Sequence, residues 1–212
     1  MIEAVPYWCR IALLLLLLSL IATIDRLRNG PKATRVKEYS FVVVSGVVGA
    51  LFGLLNDLIT SSISPEYFSF GKGLNPGDGL TVRAGILGMK AGLSAGAIAG
   101  AICLYASTRG CLYPPLAYRR LLGVLWRPVV LATAAALMMA LFFRRLDPFG
   151  FSRQLEGILE PRRIQRFLTV WWIHCGLYLG LLVSVVWIIV DIARLRKRQQ
   201  YVGAAGGVDR RA

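Results

Sequence analysis

Asp57, Lys90 and His174 are ionisable side chains that stand at similar depth inside long apolar stretches of this chain, and Glu66 stands close by. A charge within a membrane span is costly, so it usually pairs, faces a cavity or marks a pathway. Asp57 and Lys90 are expected to neutralise one another. His174, the single histidine, is the side chain whose unperturbed titration falls near neutral pH. Lys90 lies seven residues in from Arg83, and His174 seven in from Phe167. At 1.5 Å per residue both sit roughly 10 Å inside the same boundary. With Asp57 near that end of its own stretch, the set could serve as a proton relay or as the floor of an outward-open pocket. The competing reading is an interhelical ion pair plus a satisfied histidine beside the interfacial Trp171 and Trp172. No metal or cofactor is expected, because one histidine and two carboxylates on separate elements lack the close ligand spacing of zinc motifs.

A nucleophile can also be sought. Gly92-Leu93-Ser94-Ala95-Gly96 matches G-x-S-x-G, His174 lies on a later stretch, and Lys90 stands four residues before Ser94. That motif needs a sharp strand-to-helix turn. Here the pentapeptide lies inside a ladder of glycines that generates such matches by chance. An intramembrane serine hydrolase is therefore the third reading, behind two non-enzymatic ones.

The segment from Thr60 to Thr81 is the most individual in the chain. Ser64-Pro65-Glu66-Tyr67-Phe68 and Phe70 precede the turn-forming Gly71, Gly73 and Asn75-Pro76-Gly77-Asp78-Gly79. It reads either as a plain connection with aromatic anchors or as a lid over the polar set, with Glu66 pointing inward. Asn56-Asp57 leading to this S-P-E-Y-F string resembles a group of uncharacterised bacterial multi-pass membrane proteins. In that group a His-Asp pair ends a helix before the loop, and a later helix carries tryptophan and histidine. The matching positions are Asp57, Glu66, Trp171 or Trp172, and His174, whereas Asn56 stands where the pattern has histidine. The resemblance spans about residues 45–190 and implies a bacterial inner-membrane protein without supplying an activity.

These residues need helices to hold them. Apolar residues make up 56 % of 212 residues, charged residues 17 %, and the mean hydropathy is +0.60. The apolar residues come in blocks near the roughly 20 residues that a bilayer core of about 30 Å requires. The blocks cover about 7–24, 40–59, 82–106, 121–143 and 167–192. The expected fold is an all-α, polytopic transmembrane helical bundle of five spans in one domain over residues 1–200, with a disordered tail at 201–212. Four spans would remain if the leucine-rich first block were a cleaved signal. Arg26, Arg28, Lys32, Arg35 and Lys37 directly after it argue for a retained helix.

Gly88, Gly92, Gly96 and Gly100 recur at four-residue spacing, so one face of the third span is bare backbone, and Gly49 and Gly53 repeat the interval in the second. Such faces admit another backbone at close range. The two spans are expected to pack on each other or on a partner subunit.

The net charge of +14 sits in the connections rather than on one face, which speaks for anionic lipid headgroups and against nucleic acid. Fifteen of the 25 Lys and Arg fall on the side that would hold the C-terminus, which places that side in the cytoplasm. The dissenting arginines between Arg144 and Arg166 read as a surface-lying amphipathic helix, and Arg194, Arg196, Lys197 and Arg198 as a lipid anchor. Four cysteines without C-x-x-C spacing read as apolar filler. The leading expectation is a non-enzymatic membrane subunit or scaffold, homo-oligomeric or part of a larger complex, that packs through its glycine faces. The second is a small proton- or ion-linked carrier using Asp57, Glu66, Lys90 and His174.

Overall fold

The computed structural model describes residues 6–108 and 116–208, with side chains as far as Arg198. Five helices are long and apolar enough to cross a membrane. Among the described residues there is no strand element, so the chain is an all-α, multi-pass membrane protein. The long helices are α1 (Tyr7–Asn29), α2 (Arg35–Ile63), α3 (Leu80–Thr108), α5 (Trp126–Phe142) and α7 (Pro161–Val208), and the one-turn α4 (Tyr118–Leu122) leads into α5. Most of these helices outrun the apolar blocks by several residues. Hydropathy marks the lipid-buried part of a helix, whereas backbone hydrogen bonding continues into its polar flanks. Pro128 lies in the first turn of α5, where a missing N–H breaks no intrahelical bond.

Two hairpins make the bundle. α2 packs along the whole of α3, and α5 along α7, while contact between the hairpins is sparse. In the first hairpin the glycines meet backbone to backbone. A Cβ on Gly49 would strike the carbonyl of Gly92, one on Gly53 that of Gly88, and one on Gly96 that of Ser45. The glycine faces are thus turned on each other inside one chain, with Gly100 seated against Ser45. A second small-residue seat holds the other hairpin. Gly176 lies against Ala136 and Gly180 against Ala132, each within 2.6 Å of where a Cβ would stand. The four-residue intervals Ala132–Ala136 and Gly176–Gly180 are the sequence signal for it.

The helix α1 is peripheral and contains no buried residue. It is fastened at its ends. Tyr7 donates to the carbonyl of Lys90 at 3.0 Å. At the other end Asp25 accepts from the backbone N–H groups of Thr34 and Arg35 at 3.0 and 3.1 Å, closing the turn into α2.

Three expectations need correction. Residues 144–166 do not form one surface helix. Gly150 and Gly157 adopt positive φ (68° and 82°), which confines the helix α6 to Phe151–Leu155, and Pro161 starts α7. Arg196 does not join the lipid anchor, for it is 5 % exposed and donates to the carbonyl of Ala106 at 3.0 Å. That bond satisfies a carbonyl at the end of α3, where a cation is favoured. Finally, helical backbone continues through Tyr201 to Val208, with no proline to stop it, where a disordered tail was expected; residues 209–212 and Cys111 lie outside the described residues.

Candidate functional site

The site grows from the last two turns of α2. Gly88 of α3 has no side chain, which lets α2 approach until Asp57 lies directly over it; a Cβ there would fall 2.6 Å from the Asp57 carboxyl carbon. Asp57 is carried inward, 6 % exposed, toward α7. From α7 His174, also 6 % exposed, places Nε2 at 3.1 Å from Asp57 Oδ1. The amide of Asn56 donates to the same oxygen at 2.9 Å.

The second ring nitrogen decides the chemistry. His174 Nδ1 lies 2.9 Å from the carbonyl oxygen of Val170, one turn earlier on α7. A carbonyl can only accept, so Nδ1 carries a hydrogen in every state that keeps this bond. The contact between Nε2 and Oδ1 then requires one shared proton. It is either imidazolium beside carboxylate or imidazole beside carboxylic acid. Removing it sets a lone pair against a carboxylate inside the protein. In this geometry Asp57 and His174 are joined through a single proton.

The 64–74 segment covers this unit. Ser64 and Phe68 are fully buried, and Tyr67 is 4 % exposed. A wide, π-type turn over Tyr67–Gly71 stacks the Tyr67 ring on His174 at 4.7 Å between centroids, with Phe68 edge-on at 6.0 Å. Burial pushes the Tyr67 hydroxyl well above its ordinary range, so it stays protonated. The segment is a lid, but Glu66 points away from the pair. It accepts from Arg163 at 3.2 Å and from Ser64 at 3.1 Å, fastening the lid to the start of α7.

Lys90 is not Asp57's partner. Its ammonium lies over the rings of Tyr7 and Trp8, 5.5 and 5.9 Å from their centres, on the face of α3 turned to α1. Ser94 faces the same way, donating to the Lys90 carbonyl at 3.1 Å and meeting Tyr7 at 3.3 Å. It lies on an unbroken helix and shares no hydrogen bond with His174. Of the four expected polar residues, the structure thus brings together Asp57 and His174 alone.

Below the pair, between the two hairpins, runs a cavity of about 230 Å³. Its walls are glycine, alanine and aliphatic side chains reaching down to Cys103, Pro128 and Ile188. The 14 residues from His174 to Ile188 make it roughly 21 Å long at 1.5 Å per residue. Asp57, His174 and Lys72 are its charged or titratable side chains besides Cys103 and Tyr178, and they gather at one end. Exposed Tyr178 also lines it, so the cleft opens sideways. Lys72 and Tyr178 escape a reading by motif, since one stands in a loop and the other is a lone tyrosine in an apolar run. Among the described residues no group of three or more potential metal ligands occurs.

Comparison with protein-family models, curated proteins and solved structures gives no match to this chain.

Proposed function

We propose that this multi-pass membrane protein is a small proton-linked carrier, with Asp57 and His174 as its proton-holding element. The observation behind this reading is the Nδ1 contact with Val170, which leaves Nε2 and Asp57 to share a single proton at the head of a membrane cleft. Intramembrane ionisable pairs that border a cavity are the usual parts of proton pathways. A second reading, a subunit of a larger assembly, is favoured by α1, whose leucines at 13–17 are all exposed. The glycine faces are engaged within the chain, so it is α1 that would meet a partner or a second copy. No hydrolytic role is proposed, since Ser94 and His174 do not share a site. The resemblance and the distribution of Lys and Arg support a bacterial inner membrane with the C-terminus in the cytoplasm.

His174 is the only histidine, which makes the test specific. In ¹⁵N-histidine-labelled protein, Nδ1 should remain protonated across the accessible pH range while Nε2 follows Asp57. In Asp57→Asn that coupling should vanish, and proton flux into proteoliposomes should cease at unchanged protein level. If both Asp57→Asn and His174→Ala only lower stability and leave flux intact, the pair is structural.

A further inference from the structure

The cleft below the pair combines three properties. It is apolar along its length, it is open at its flank, and its ionic groups lie together at one end. Lys72, Asp57 and His174 line that end, and Lys72 makes no ion pair among the described residues. Its ammonium lies 5.5 Å from the centre of the Tyr67 ring, at the edge of the lid. With one proton shared between Asp57 and His174, those two sum to zero and Lys72 leaves the head of the cleft at +1. A cation arriving there would meet a like charge, whereas an anion would find a charge-assisted donor at the mouth of an apolar slot.

We propose that the cleft holds a single-chain amphiphile with an anionic head, the head at Lys72 and the chain running between the hairpins toward Cys103 and Ile188. The proposal rests on the reading of the pair as a one-proton unit. The other titratable groups near the pair are Tyr67 from the lid and Cys175 and Tyr178 from α7, all neutral when protonated, while α3 meets Asp57 through Gly88. Proton and anion would then be bound together with no net charge left in the membrane.

The test uses hexadecyl sulfonate, whose head does not titrate, carrying a diazirine at the chain terminus, with the full chain in phosphatidylcholine nanodiscs. Illumination should label residues around Cys103, Val129 and Ile188. Unlabelled hexadecyl sulfonate should compete, and hexadecyltrimethylammonium should not. Lys72→Gln lies on an exposed loop residue and should keep the melting temperature. It should weaken labelling at least about tenfold, the loss of one charge-assisted bond. Ala95→Phe, which narrows the wall of the cleft, should abolish labelling there. The proposal is overturned if labelling spreads evenly over lipid-facing positions such as Leu13 and Leu182, if the ammonium competes equally, or if Lys72→Gln changes nothing. Saturable labelling that persists in a protein without proton flux would reject the carrier reading and keep the site. Proton flux without labelling of the cleft would do the reverse.

Discussion

The carboxylate of Asp57 occupies the space that a side chain at Gly88 would need, its Cγ only 2.6 Å from a Cβ built there. The glycine ladder thus does more than join two helices, because its rung at Gly88 sets how deep Asp57 can lie. Gly88→Ala is expected to destabilise the protein by about 1–3 kcal/mol, as overpacking generally does. It should also part Asp57 from His174, so the ¹⁵N signal of Nε2 should lose its dependence on Asp57. Thermal unfolding in detergent and the histidine spectrum check the two effects separately.

Removing His174 alone should be worse than removing both members of the pair. His174→Ala leaves Asp57 buried without its partner, a loss of about 3–5 kcal/mol where the carboxylate remains charged. Asp57→Asn in the same molecule removes that charge and should recover much of the stability. A double variant that melts no higher than His174→Ala would show that the two residues are energetically independent.

Lys90 should prove separable from the site. Its ammonium faces Tyr7 and Trp8, so Lys90→Met should cost about 0.5–1 kcal/mol of ring contact. The ¹⁵N spectrum of His174 should be unchanged. A shifted histidine signal in this variant would restore Lys90 as Asp57's partner.

Outside the membrane, Asp147 offers a pH-dependent fastening. Burial pushes its carboxyl up, but the N–H groups of Ser152 and Phe151 (2.6 and 2.8 Å) outweigh that and hold it below 3.8. A carboxyl lowered in the folded state contributes stability above its ordinary range, and that contribution disappears as the pH falls through the lowered value. The protection of amides 147–155, measured against the intrinsic exchange rate at each pH, should therefore fall on acidification, and Asp147→Asn should show the lower protection at every pH.

Much of this arrangement is legible in the residue order, and the limits have a geometric cause. Apolar run length gives the five spans, and four-residue spacing gives the α2–α3 seat. Depth can be counted along an axis, but partners depend on rotation about it. Asp57, Lys90 and His174 share a depth, yet Lys90 is two residues from Gly88 and so about 200° around a helix of 3.6 residues per turn. Once Gly88 faces α2, Lys90 must face elsewhere, and the pairing of Asp57 with Lys90 fails on that angle. Glu66 is different, for no helical period governs a loop. Its partner Arg163 lies 97 positions away and depends on how the lid folds back. Between Arg144 and Arg166 amphipathic composition points to one surface helix, but Gly150 and Gly157 adopt positive φ, which no continuous helix admits whatever its charges.

The helix that carries His174 runs unbroken to Arg198, 24 residues or roughly 36 Å beyond the pair. Such a rod converts angle into displacement. A tilt of about 5° at His174 would carry its far end some 3 Å, by the same helical rise, enough to break the bond from Arg196 to the Ala106 carbonyl. If the pair serves as the proposed proton-holding element, a tilt of α7 at His174 would be read out at the far end of the helix, at the point where α7 is latched to the end of α3.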